Sequence, residues 1–277
     1  MAYSGAFIDA VRAVDASLEL SEVSTQGSAD NFRRLADGKL DLAFVQGTEA
    51  YEVFNAPGGR SSKIKIITAM FGAPGLFILR NDSRHHTITD LKSRPVVWGT
   101  RASGLARLGH LMMEAIGLDA DRDFQPMYVA RASDGPTAIL DFSAAALWGG
   151  GWRSPSFLKV TRELGGARFI APNAEEMKLM LAKHAFLKAL TVEPGTYSGQ
   201  PEAIHSVGTW AFLLARPGLD EEIGYRLAAA LHMIERTAST SKALAQTTAS
   251  NTIVNLPGPE MLQDGVRRYY KEARLLP

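Results

Sequence analysis

Apolar residues recur at helical spacing in "AFIDAVRAV", where Phe7, Val11 and Val14 share a face, and the spacing predicts a first helix. "LELSEVST" alternates apolar and polar residues and predicts a strand. In "GSADNFRRLADGKLDLAFVQG", Ser28 is a candidate N-cap, Phe32 and Leu35 form the apolar face, and Gly38 marks the stop. "LDLAFV" follows as a buried strand ending at Gln46-Gly47. The result is a strand–helix–strand unit of the α/β type.

The same alternation of periods continues. "KIKIITAMF" and "GLFILR" read as strands separated by the "GAPG" breaker, and "PVVWG" leads into the helix of "WGTRASGLARLGHLMMEAIGL". On that helix Leu105, Leu108, Met112 and Ile116 form the apolar stripe, with Arg107, His110 and Glu114 opposite. "QPMYVA" is a strand, "DGPTAIL" a helix start, and "AAALWGGGW" a strand running into three glycines. "AEEMKLMLAKHAFL" is helical, "EPGTYSGQP" a turn-rich loop and "VGTWAFLLAR" a long strand. Two helices, "DEEIGYRLAAALHMIER" and "PEMLQDGVRRYYKEA", close the pattern. A faint echo joins "LADGKLDLAFVQG" to "AILDFSAAALWGG": each passes from a helix end through an acidic turn into a strand.

With 277 residues, the chain is long enough for about two domains of roughly 100–200 residues each. Its 30 basic and 29 acidic residues balance to +1, leaving no bulk electrostatic footprint for nucleic acid. The absence of cysteine excludes disulfides, thiolate metal sites and cysteine nucleophiles. The first residues lack the basic and apolar regions of a signal peptide, and no apolar run reaches the roughly 18 residues of a membrane span. G-x-S-x-G, H-E-x-x-H, G-x-G-x-x-G and Walker patterns do not occur. Asp119, Asp121 and Asp123 have calcium-loop spacing, but Phe124 replaces the turn glycine and Ala130 the bidentate glutamate, so a solvated loop is expected.

Chemistry is therefore sought at helix starts and strand ends. Ser103 is a plausible N-cap ahead of Gly104, Leu105 and Ala106, and the helix dipole adds about 0.3–1 kcal/mol for an anion there. Either the serine caps a structural helix or the helix start grips a ligand; the same choice applies to Ser28 and Asn31. Both helix starts follow strands, and ligands in open α/β sheets sit outside the strand carboxyl ends. Gln46-Gly47 and Gly149-Gly150 are uncharged loops that allow close backbone approach. Arg101, Arg131 and Arg153 are candidate clamps for a carboxylate. Trp98, Trp148 and Trp152 lie near these loops, as cleft or as core.

The segments "GSADNFRRLADGKLDLAFVQGTEAY", "WGTRASGLARLGHLMMEAIGL", "AALWGGG", "EPGTYSGQ" and "VRRYYKEA", in this order over nearly the whole chain, resemble the TAXI-type solute-binding proteins of TRAP transporters. The resemblance implies an α/β, two-lobe periplasmic-binding-protein type II fold. Lobe I would comprise residues 1–78 and 208–277 and lobe II residues 79–207, joined by crossing strands "GLFILR" and "VGTWAFLLAR". It implies a non-enzymatic, periplasmic protein that closes around a small organic acid or amino acid and works with TRAP membrane subunits. No cofactor, metal or nucleic acid is implied. Carried onto this sequence, the ligand-binding set is Ser28, Asn31, Gln46, Phe71, Arg101, Ser103, Gly104, Trp148, Gly149, Gly150 and Tyr197.

Three departures from the family pattern make the implied pocket more apolar. Leu105 stands where a threonine is frequent, Phe71 where a tyrosine is common and Ala73 where a glutamate is common. Family members open with a strand and a glycine-rich loop, whereas this chain starts at the helix. The resemblance thus implies a lobe I without its first strand and with a neighbouring strand edge left open to another chain. Two other readings stand beside transport: a sensing module of the same fold, and an enzyme using Glu202, His205 or Arg153.

Overall fold

The computed structural model describes residues 3–55, 63–150, 153–237 and 242–276. Two compact units account for the chain: Met1–Phe71 with Trp210–Pro277, and Gly72–Thr209.

In the first unit, α1 (Tyr3–Val14) buries Phe7 and Val11, while Val14 at its end is exposed. α2 (Ser28–Ala36) delivers the chain through Gly38, at φ +69°, into β1 (Leu42–Val45). α3 (Gly47–Asn55) follows at once. The sequence pattern treated Gln46-Gly47 as a loop, yet Ala50, Tyr51 and Phe54 already carry helical spacing. β2 (Lys65–Pro74) carries the chain from the first unit into the second. The strands of the second unit are β3 (Leu76–Leu79), β4 (Pro95–Gly99), β5 (Gln125–Tyr128), β6 (Ala146–Gly149), β7 (Arg168–Ile170) and β8 (Lys188–Val192). Its helices are α4 (Gly104–Ala115), α5 (Gly135–Leu140), α6 (Pro155–Glu163) and α7 (Ala174–Lys183). β9 (Ile204–Ala215) returns the chain to the first unit, which ends with α8 (Glu221–Glu235), α9 (Ala249–Asn255) and α10 (Asp264–Glu272).

One sheet has the order β1-β9-β2, with β8 also paired to β9; the other has the order β5-β4-β6-β3-β7. β4 runs parallel to β5 and β6, and β3 runs antiparallel to β6 and β7. The chain passes between the units inside β2 and β9. "GLFILR" was the expected first crossing strand; instead β3 lies wholly in the second unit. The reason is that only Gly75 interrupts "GAPG", so β2 itself runs on to Pro74.

"LELSEVST" forms no strand. Its alternation is real, with Leu18 buried and Leu20 half-buried, but a strand needs a ladder partner and none of the described residues supplies one. α6, β7, β8 and α9 went unread in the sequence. They are short, and periodicity over so few residues carries little signal.

Each unit has its own core. The first is one cluster around Phe7, Leu35, Ile67, Leu214, Leu227 and Tyr270. Tyr270, not Tyr269, is the fully inserted anchor of α10. In the second unit two clusters flank the sheet: Phe77, Trp98, Leu108, Met112 and Trp148 on one face, and Ile78, Ile139, Leu147, Phe157 and Tyr197 on the other.

Candidate functional site

In the second unit the site grows from the β4–α4 connection. Ser103 holds extended backbone (φ −82°, ψ 141°), and its Oγ accepts the N–H of Ala106 at 3.1 Å, so the expected N-cap forms. Gly104 and Ala106 are buried behind it. Parallel pairing of β4 with β6 sets the carboxyl ends of the two strands side by side. Trp148 Nε1 donates to the carbonyl of Leu105 at 2.8 Å, pinning the first turn of α4 to the end of β6. A Cβ on Gly150 would lie 3.1 Å from Leu105 Cδ1 and 2.7 Å from the carbonyl oxygen of Pro74. A Cβ on Gly149 would meet the Phe157 ring at 2.5 Å. Ser103, Gly104, Trp148, Gly149 and Gly150 are therefore gathered in one place, where only glycine lets the backbones approach. The outer face of this turn combines first-turn N–H groups with the positive end of the α4 dipole.

The other expected residues of this unit lie differently. The Arg101 guanidinium is exposed and rests 3.8 Å above the Tyr128 ring. Tyr128 donates to Asp121 at 2.7 Å and lies 3.0 Å from His110 Nε2; burial and the Asp121 carboxylate push its hydroxyl up to about 12. Tyr197 is a core residue, only 3% exposed and stacked on Phe169. Its oxygen accepts the N–H of Ser154 at 3.1 Å, and burial pushes its pKa up to about 12. Its ring lies 5.7 Å from that of Phe157, the ring that a Cβ on Gly149 would meet. Trp98 is fully buried against Phe77 and Phe124, which decides for core, and its Nε1 has no partner among the described residues. Trp152 lies outside the described residues.

In the first unit, Gly27 occupies the N-cap position of α2 and Ser28 the first helical turn. The Ser28 Oγ accepts the N–H of Gln46 at 3.0 Å. Asn31 Nδ2 donates to the carbonyl of Phe44 at 2.7 Å, and its Oδ1 accepts from the Thr25 hydroxyl. Both side chains thus tie α2 to β1. Asp30, between them, accepts the Gln26 N–H and pairs with Arg33 and Arg34; the backbone bond first, then the two guanidinium groups, hold its carboxyl below the usual range. The Gln46 carbonyl accepts from Ala50 in the first turn of α3. Phe71 is half-buried, its ring 5.4 Å from that of Tyr3, whose hydroxyl bonds Thr247 at 2.6 Å and is raised by burial.

Sequence reasoning missed Thr48 and Glu49. Both are buried at the start of α3, just beyond the carboxyl end of β1, with the Thr48 hydroxyl donating to Glu49 at 2.7 Å. An acid in a first helical turn, ahead of the Ala50, Tyr51, Phe54 spacing, was the available signal. His205, an enzyme candidate, faces Thr191 across the β8–β9 pair at 3.1 Å, a cross-strand bond. Asp119 and Asp123 accept N–H groups of their own turn. Among the described residues no three His, Cys, Asp or Glu side chains are grouped to hold a metal, and no helix is long and apolar enough to cross a membrane.

Solved structures share this architecture. The periplasmic binding protein BugD matches with a TM-score of 0.58 at 12% identity, over 99% of this chain and 90% of its own. The periplasmic aliphatic sulphonate binding protein SsuA from Escherichia coli matches with a TM-score of 0.53 at 17% identity, over 99% and 91%. The substrate binding protein of an amino acid ABC transporter gives 0.50 at 10%, over 89% and 87%. At these identities the likeness is one of fold: α/β, of the periplasmic-binding-protein type II kind. The NMT1-like family pattern matches residues 4–273, and the chain belongs to that family.

Proposed function

We propose that the protein is an extracytoplasmic solute-binding protein that takes up a small organic anion and hands it to a membrane transporter. The observation that carries this reading is the Ser103–Gly104 helix start, set beside the Gly149-Gly150 strand end on this fold. A capped helix N-terminus beside a close-approach glycine loop binds carboxylate or sulfonate oxygens through backbone N–H groups and the dipole. Such a helix start holds an anion by hydrogen bonds and by its dipole, which is binding chemistry.

Within the first unit, Ser28, Asn31, Gln46 and Phe71, with Thr48 and Glu49, are proposed as ligand-binding residues. The organic anion of this reading is an organic acid or an amino acid. The resemblance to TAXI proteins favours a TRAP-type permease as partner and a periplasmic location. BugD and SsuA, described as periplasmic, and an ABC-transporter binding protein support the coarser reading of solute capture outside the cytoplasm.

A thermal-shift panel of carboxylic acids, amino acids and sulfonates tests the proposal. A ligand present at about 100 times its Kd adds roughly 2.7 kcal/mol of stability, several degrees in Tm for a chain of this size. A panel in which no compound shifts Tm, or a hit that is chemically converted on incubation, would overturn it.

A further inference from the structure

The sheet of the second unit has two unlike ends. Ser103 and the glycine pair stand at the carboxyl ends of β4 and β6; the amino ends of the same strands form a rim with the end of β3 and the start of β7. Leu79 pairs with Arg168 and Ile78 with Leu147, and the Ala145 N–H donates to the Pro95 carbonyl at 2.9 Å. Arg94, the turn before β6, Arg80 and Arg168 therefore follow one another along this rim at the strand spacing of about 4.7–4.9 Å.

Phe142 tops the rim. It is 69% exposed, and among the described residues it is the only aromatic one of the exposed large apolar residues. Its backbone is left-handed, φ +67°, which costs any residue but glycine; Gly38 makes the corresponding turn of the first unit without that cost. The Arg80 guanidinium, fixed on Asp82 by bonds of 3.1 and 3.0 Å, lies 3.8 Å from the ring centroid and supports it.

Around the ring the cations outnumber the acids. Arg80, Arg84, Lys92, Arg94 and Arg168 stand against Asp82, Asp90 and Asp141. Asp90 accepts the N–H groups of His86 and Thr87, and Asp141 accepts the N–H and hydroxyl of Ser143. Arg84, Arg94 and Arg168 have no carboxylate partner among the described residues; Arg168 donates to His86 Nδ1 at 2.9 Å, and its Nε has no acceptor. The acidic turn 119–123 lies farther along, at the β5 end, and pairs with Lys92 and Arg122. A stable protein interface takes roughly 800 Å² per partner and several buried anchors. An anionic lipid surface takes one small apolar insertion and cations that reach its headgroups, which is what this rim offers.

We propose that the rim seats on the headgroup layer of an anionic bilayer, with Phe142 entering the acyl boundary and Arg84, Arg94 and Arg168 meeting phosphate oxygens. The opposite end of the sheet stays free to take up solute. This surface shares no residue with the solute site, so either reading can fail without the other.

Co-sedimentation with vesicles tests it. At low salt the protein binds vesicles of phosphatidylglycerol and phosphatidylcholine in equal parts at least about tenfold more tightly than vesicles of phosphatidylcholine alone. A chain carrying R84E and R94E, both exposed and unpaired positions, loses at least about tenfold on the anionic vesicles. Phe142→Gly, which suits the backbone of the turn, loses about tenfold, and Phe142→Trp restores binding. The proposal is overturned if anionic vesicles carry down no protein, if the two vesicle types bind equally, or if either loss variant binds as the wild type does. Binding of polyglutamate without binding of vesicles would assign the rim to an acidic protein partner and overturn it as well.

Discussion

Two helix–turn–strand passages, α2 into β1 and α5 into β6, follow nearly the same local plan in different surroundings. Asp37-Gly38 and Asp141-Phe142 occupy the same place in each turn, and Gly38 and Phe142 adopt the same left-handed backbone, φ +69° and +67°. Phe44 and Trp148 then fall at corresponding strand positions. Beyond that the passages diverge. β6 lies between β4 and β3, buried at every residue, and its glycines are forced by Phe157 and Pro74. Among the described residues β1 pairs with β9 alone; it alternates between half-buried and buried residues, and Asn31 and Ser28 hold its outer edge. The turn is a local property of the chain. Central or edge placement is decided by partners distant in sequence.

Truncating the corresponding aromatic residues should break this symmetry most. Trp148→Ala leaves a cavity in a closed core and unpairs the Leu105 carbonyl, at a cost of about 3–5 kcal/mol in urea unfolding. Phe44→Ala, at a half-buried position of β1, costs about 1–3 kcal/mol. Equal costs would mean that the edge of β1 is as well covered as the centre of the second sheet. The turns give a smaller effect. Gly38→Ala meets no neighbouring atom within 4 Å, so its expected cost of about 1–2 kcal/mol is conformational. Phe142→Gly relieves the same backbone cost but loses the Arg80 guanidinium, 3.8 Å from the ring and worth about 0.5–1 kcal/mol, so a change near zero is expected. A large loss at Phe142 would show that its exposed ring, not its backbone, defines that turn.

The echo also marks how far the sequence could be read. Period and stop residues were enough for α2, β1, α4, β6, β9 and α8, although the N-cap of α2 is Gly27 and not the expected Ser28. Ser103, just ahead of the apolar stripe of α4, was legible as an N-cap. The crossing strand was misplaced because Gly72 and Pro74 look like breakers, and only pairing across the sheet holds them extended. "LELSEVST" shows the converse, alternation with no ladder. At the site, Ser103 and the glycine pair could be placed together because both end parallel strands. The burial of Tyr197 against Phe169, the stacking of Arg101 on Tyr128, and Thr48 with Glu49 depend on packing that no local pattern encodes.

The central claim is that the first turn of α4 grips an anion, and a substitution that keeps the cap but changes its charge tests it. Aspartate is as good an N-cap as serine, so Ser103→Asp should preserve Tm within about 1 kcal/mol of stability. It places a negative charge where the ligand's own charge would lie. Isothermal titration with the strongest organic-acid or amino-acid hit should give a Kd for Ser103→Asp at least about a hundredfold weaker than for the wild type. Equal affinities in the two proteins would contradict the account.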